Sequence, residues 1–288
     1  MKKLITISTI FAAVFTTANT YAKKNTHTIG VAVANLQADF FNQIKQSVQA
    51  EGKRLGYKIV TVDAHGDSAT QVNQIQDLIT RQVDAIIYIP AGATAASVPI
   101  KSAHKAGIPI VAVDRNPEGA PGDTFIATDS VAAAKMLGEY VAKITNGKGN
   151  IGLIQGQIGT TPEIERGQGF DEAIAKYPNL KIVEKQASNM WMQDEGFKIA
   201  QDMLLRNPSI NVFFGQADAL ALGAAQAAKV AHQKVIVVGF DGDMAGLKAV
   251  KDGVLAATMT QQTQYMGRLA VRSAIDLIEG RFVPPVQK

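Results

Sequence analysis

Short β-branched runs alternate with stretches of helical period along the sequence, and the whole alternation is met twice. Thr28 to Ala34, Lys58 to Asp63, Ala85 to Pro90 and Ile108 to Asp114 read as strands, separated by amphipathic helices at Phe41 to Leu55, Ser68 to Gln82 and Ala95 to Ala106. A second series follows, with strands at Asn150 to Gly156, Lys181 to Lys185, Val212 to Phe214 and Lys234 to Asp241, and helices at Glu163 to Tyr177, Glu195 to Arg206 and Leu220 to Val230. Such alternation gives a parallel sheet with helices on both faces. The two series keep step, because Ile29 and Ile151 are 122 positions apart, Lys58 and Lys181 are 123, and Asp114 and Asp241 are 127. The fold class expected is therefore α/β, two doubly wound parallel-sheet lobes joined by a hinge. Open parallel sheets bind ligands beyond the carboxyl ends of their strands, so the default site is the cleft between the lobes.

No long Pro/Gly/Ser linker divides the halves. A strand at Thr124 to Thr128 leads into a helix from Ser130 to Thr145, and a strand at Ala256 to Thr260 leads into a helix from Met266 to Gly280. The chain is expected to cross near Ala127 to Asp129 and again near Gln261-Gln262, which puts 23–128 with 262–288 in one lobe and 129–261 in the other. Two short crossings make a hinge, not a floppy tether. Ahead of the first strand, Met1-Lys2-Lys3, the apolar run Leu4 to Phe15, and the small residues Thr20 and Ala22 read as a secretory signal cut after Ala22. The run of about 12 is short of the roughly 20 apolar residues that cross a bilayer. Export with cleavage is the expectation. The formal charge of +4 falls to +2 once Lys2 and Lys3 are removed, and nothing in it suggests nucleic acid. With no Cys there is no disulfide frame, Cys-ligated metal or cysteine nucleophile.

Charged residues stand directly after apolar strands: Asp114-Arg115 after Ile108 to Val113, and Asp241 after Val235 to Phe240. Loop solvation or helix capping explains any one of them. A matched pair in corresponding places of two lobes, with Arg115 beside one member, is harder to explain that way. Arg166 lies in the first turns of the helix that follows Gln155-Gly156-Gln157-Ile158-Gly159, where the backbone dipole disfavours a cation. Phe40-Phe41 follows the first strand, and Trp191, the only Trp, sits in a loop between Asn189 and Gln193. Carboxylates accept from hydroxyls, a guanidinium offers a fork of donors, and an aromatic face packs on C–H groups. That set suits a sugar.

Together with Glu165 to Phe170, Ala221 to Ala224, Val238 to Gly242 and Ala256 to Gln261, these stretches make the chain resemble the ribose-type periplasmic sugar-binding proteins, the solute-capturing components of ABC importers. The resemblance runs over essentially everything after the signal. It implies a monomer that closes on one monosaccharide and hands it to a membrane permease. It also implies Asp114, Arg115, Arg166, Asp241 and Gln261 as the hydrogen-bonding set, with Phe40, Phe41, Trp191 and Phe240 as apolar walls, and no catalytic residue, metal or cofactor. The pattern departs from the family at three places. Ala38 followed by Asp39, and Ala217 before Asp218, stand where ribose binders carry Asn, which points to a different monosaccharide or a linear polyol, with Asn35, Gln37, Asp39 or Gln216 compensating. Residues 280–288 run out roughly where the family adds a last strand returning to the second lobe, which leaves one interlobe crossing fewer.

Rival classes have less support. The four histidines, His27, His65, His104 and His232, lie beside no strand-end Ser or G-x-S-x-G elbow and read as surface residues. Gly152, Gly156 and Gly159 do not form G-x-G-x-x-G, and Asp241-Gly242-Asp243 lacks the further oxygen ligands of a calcium loop. An enzyme is not expected. A transcription regulator of this plan would carry a helix-turn-helix ahead of Thr28, where the signal stands. A sensor that presents its closed form to a chemoreceptor is compatible with transport.

Overall fold

The computed structural model describes residues 27–288 apart from residue 118. The signal and its cleavage point fall outside the described residues. The first series is β1 (Thr28–Val33), α1 (Asp39–Arg54), β2 (Lys58–Asp63), α2 (Ser68–Thr80), β3 (Ala85–Tyr88), α3 (Ser97–Lys105), β4 (Ile110–Val113) and β5 (Thr124–Ile126). The second is α4 (Ser130–Ile144), β6 (Lys148–Gln155), α5 (Thr161–Ile174), β7 (Asn179–Ala187), α6 (Gln193–Arg206), β8 (Val212–Gly215), α7 (Asp218–Val230), β9 (Ile236–Asp241), α8 (Met244–Lys251) and β10 (Ala257–Thr260). The chain ends with α9 (Thr263–Ile278) and β11 (Val286–Gln287).

Two parallel sheets result, in the orders β11-β5-β4-β3-β1-β2 and β10-β9-β8-β6-β7. Central strands such as Ala-Ile-Ile-Tyr in β3 and Ile-Val-Ala-Val in β4 are buried at every position, as expected where helices cover both faces. The edge strand β7 instead alternates exposed and covered residues over most of its length. Register is direct: Val31 pairs with Thr61 and Ile87 in the first sheet, and Leu153 with Phe214 in the second. In the first lobe, Ile29, Val31, Ile87 and Val111 pack under Phe41 and Ile44 of α1 and Met266, Ala270 and Val271 of α9. In the second, Phe170 of α5 stacks on Phe214 of β8 at 4.5 Å beside α4, and Phe213 lies under α6 and α7.

Sheet membership changes after β5 and again after β10, and Thr128 Oγ1 on one crossing donates to Gln261 Oε1 on the other at 2.8 Å. Two elements have no counterpart in the sequence reading. Asp243 caps α8, its Oδ1 accepting from Gly246 N, a helix start hidden by the short length of the segment. β11 is two residues long and pairs with β5, tied also by the Thr124 hydroxyl, which donates to Pro284 O. So residues 280–288 add an edge strand to the first sheet. Helix α1 also begins earlier than expected, at Asp39, so Phe40 and Phe41 lie on its first turn and not on the strand end.

Candidate functional site

A cavity of about 220 Å³ opens where the carboxyl ends of the two sheets face each other. It is smaller than the ~300–1,000 Å³ of drug-sized sites, and so suits a smaller molecule. The loop after β1 brings Gln37 and Ala38, α1 brings Asp39, Phe40 and Phe41, and the end of β4 brings Asp114 and Arg115. From the other lobe come Arg166 on α5, Trp191 ahead of α6, Ala217 after β8 and Asp241 closing β9. The lobes touch beside it: Asn116 N donates to Thr161 Oγ1 at 2.9 Å, and the same hydroxyl donates to Asn116 O at 3.2 Å. This is a closed arrangement.

Each lobe supplies a carboxylate, a guanidinium and a ring. In the first, Arg115 Nη1 donates to Pro90 O at 2.9 Å and Ala91 O at 3.0 Å, Nε lies 3.5 Å from Asp114 Oδ2, and the guanidinium sits 5.2 Å from the Phe41 centroid. In the second, Arg166 Nη1 donates to Gln216 O and lies 3.3 Å from Asp241 Oδ1. The Trp191 ring lies between the two arginines, 5.7 Å from Arg115 and 5.6 Å from Arg166. Asp114, Asp241 and Trp191 have φ of 63°, 121° and 62°. Three non-glycine residues in that region around one cavity is the clustering of backbone strain that marks functional sites.

The electrostatics follow from burial. Desolvation pushes the Asp114 carboxyl up, opposed by Arg115 and Arg166, and pushes the Arg115 guanidinium down. Burial likewise raises Asp241, against the pull of Arg166. Behind it Asp218, the first residue of α7, is pushed up to about 7 by burial, although the Thr258 hydroxyl donates to it at 2.6 Å and Asp243 N at 3.0 Å. These acids are held in a poorly hydrated space in which a hydrogen bond from a hydroxyl is strong.

Phe40, Phe41, Asp114, Arg115, Arg166, Trp191 and Asp241 thus converge on the cavity. Two expected wall or contact residues are corrected. Phe240 is wholly buried in the second core and serves as the floor under Arg166, whose guanidinium lies 4.1 Å from its centroid. Gln261 is also behind the lining, where its Nε2 donates to Asp241 Oδ1 at 2.8 Å and so fixes that carboxylate. Of the residues proposed to compensate for missing amides, Gln37 and Asp39 line the cavity. Gln216 does not: its Oε1 accepts from Gly156 N and its Nε2 donates to Glu163 O. Asn35 is likewise occupied, its Oδ1 accepting from Gln37 N. The sequence analysis assigns no ligand role to the lining residues Pro162, Met192, Gln193 and Ala219, and weighs Asp243 only as a possible metal ligand. Asp243 is a helix cap, and no group of three or more His, Cys, Asp or Glu placed to hold a metal occurs among the described residues. Three histidines sit beside acids at the surface: His27 by Asp84, His65 by Asp63 and His104 by Asp123.

Two hinged α/β lobes that close a polar and aromatic cavity define a class of solute-capturing protein. Residues 29–282 match the periplasmic binding protein domain, and the chain belongs to that family. The ribose import binding protein of Bacillus subtilis is 32% identical over 260 residues, covering 90% of this chain and 84% of its own. Among solved structures, an ABC transporter solute-binding protein of Bacillus halodurans with bound myo-inositol superposes with a TM-score of 0.85 at 28% identity, over 91% of this chain and 92% of that one. The fructose-binding periplasmic domain of a hybrid two-component system superposes with a TM-score of 0.85 at 30% identity, over 91% of this chain and 88% of that one.

Proposed function

We propose that this protein captures a monosaccharide or related polyol in the periplasm and delivers it to an ABC import permease. One observation carries the reading: each lobe brings a carboxylate, a guanidinium and an aromatic ring to the same small cavity, Asp114, Arg115 and Phe41 from one side and Asp241, Arg166 and Trp191 from the other. A polyhydroxylated ring or chain offers donors and acceptors on its edge and C–H groups on its faces, and this lining answers both. Asp114 and Asp241 accept from ligand hydroxyls, Arg115 and Arg166 donate, and Phe40, Phe41 and Trp191 cover the faces. Phe240 and Gln261 hold Arg166 and Asp241 in place.

The two bodies that move in this reading are the first lobe from residue 27 to 128 with 262–288, and the second from 129 to 261. Only the closed form lets both touch the ligand, so binding shifts the open–closed balance and the permease reads the closed shape. Ala38 and Ala217 offer no amide to a ligand, which favours a cargo other than ribose; the relative with myo-inositol is in keeping with a cyclic polyol. The likeness to a two-component sensor domain supports a second role, in which the closed form is presented to a receptor. A thermal-shift screen of pentoses, hexoses and polyols tests the cargo class, because a ligand that binds only the native state raises Tm. One or a few neutral sugars should raise it. A flat screen across all three classes, with the protein folded, overturns the reading.

A further inference from the structure

The cavity carries more carboxylates than its arginines balance. Asp114 with Arg115 and Asp241 with Arg166 make two pairs of opposite charge. Two further acids line the same space, Asp39 from the first lobe and Asp243 from the second. Their partners are neutral: Asp39 accepts from Gln43 Nε2 at 2.8 Å, Asp243 accepts from Gly246 N at 2.6 Å, and neither forms an ion pair among the described residues. They act on each other across the cleft, since burial raises the Asp243 carboxyl and the charge of Asp39 raises it further. The starts of α1 and α8 explain each acid within its own lobe. They do not explain two carboxylates meeting at one cavity in the closed form, an arrangement that is unfavourable until a cation stands between them.

Space is left for one. Ala38 precedes Asp39, while Ala217 and Ala219 flank Asp218, whose Oδ2 accepts from Asp243 N at 3.0 Å, so small side chains border both acids. Elsewhere in the lining, Arg115 Nε, Arg166 Nε and Trp191 Nε1 are buried donors with no hydrogen-bond partner, and the two arginines are only 5% and 2% exposed. The cavity therefore calls for acceptors at the arginines and the ring, and for a cationic donor at the two outer acids. We propose that the cargo is a sugar or polyol bearing a primary ammonium group, seated between Asp39 and Asp243, with its hydroxyls on Asp114, Arg115, Arg166 and Asp241. This rests on the sugar-binding reading and narrows its substrate class. A neutral counterpart keeps the hydroxyl contacts and still binds, but it leaves two like charges facing each other. An ammonium offers three donors and a charge where a hydroxyl offers one donor, which should tighten Kd by about tenfold or more.

The test runs the cargo screen in pairs, each pentose, hexose and polyol beside its amino-deoxy counterpart, such as glucose beside glucosamine and sorbitol beside 1-amino-1-deoxysorbitol. Neutral pH keeps the amines protonated, and calorimetry gives Kd for every pair that shifts Tm. At least one amine should bind about tenfold or more tighter than its hydroxyl partner, by a margin that shrinks in high salt. Asp39→Asn combined with Asp243→Asn should bring that pair to within about twofold of each other. Asn caps a helix about as well as Asp, so α8 keeps its start, which Tm of the variant verifies. Amines that bind no tighter than their neutral partners overturn the proposal and leave the sugar reading standing. An amine preference that survives both Asn exchanges overturns it too, as does a Tm rise from calcium or magnesium alone that those exchanges abolish. No shift from either member of any pair overturns the sugar reading itself, and the proposal with it.

Discussion

Gly156→Ala tests the seat of the Trp191 ring. A Cβ at position 156 would lie 1.8, 2.0 and 2.2 Å from three atoms of that ring, where ordinary contact begins near 3.4 Å. The backbone there cannot move freely, because Gly156 N donates to Gln216 Oε1 at 2.8 Å inside the second lobe. The ring must therefore retreat by about 1.5 Å, more than enough to forfeit half of a dispersion contact. It leaves two guanidinium groups, each cation–π contact being worth ~0.5–1 kcal/mol, together with the face it offers a ligand. The Arg166 contact lies within one lobe and its loss falls on stability, whereas the Arg115 contact spans the cleft; that contact and the ring's ligand face together make about 1–2.5 kcal/mol, a five- to seventyfold weaker Kd. Global stability should change little, since a Gly→Ala exchange restrains the unfolded chain by ~0.4–1 kcal/mol and offsets local strain. Isothermal titration with the sugar that gives the largest thermal shift reads the affinity. Trp191 is the only Trp, so emission from the free variant reads the ring's displacement directly. Affinity within twofold of the parent, with unshifted emission, would refute the reasoning.

Arg166→Lys keeps a charge beside Asp241 but loses the fork that also reaches Gln216 O; at ~1.5–3 kcal/mol per charged hydrogen bond, calorimetry should show affinity down about ten- to hundredfold, and an unchanged Kd removes Arg166 from the site. Asp218 gives a pH test. Its folded pKa of about 7 exceeds the ordinary 3.8, so its contribution to stability is fully present below 3.8 and is lost as pH rises through 7. Tm of the ligand-free protein should fall between pH 6 and 8, with each kcal/mol worth ~2–4 °C, and Asp218→Asn should flatten that slope; an equal slope in the variant refutes the assignment.

Both sheets, the helix order and the strand-end positions of Asp114 and Asp241 were legible because period 2 against period 3.6 is a local property of the chain. So was the convergence of Arg115 and Arg166 on a cleft, through their place after strands and near a helix start. Helix α8 and strand β11 escaped because eight and two residues carry too little periodicity to register, and each depends on a partner far along the chain: Asp218 beside the Asp243 cap for one, Thr124 and Phe125 for the other. Phe240 and Gln261 show the same limit in the site. Their types and positions suit a ligand contact, and only packing shows the ring beneath Arg166 and the amide turned to Asp241.

By itself, then, the sequence determined the twofold α/β plan and the residue types at the strand ends, since backbone preference and hydrophobic period act over a few neighbours. The tertiary structure alone decided which of those side chains share one cavity and which stand behind it. Those facts depend on how two separately folded sheets approach each other, and residues more than a hundred positions apart meet there only after both lobes have formed.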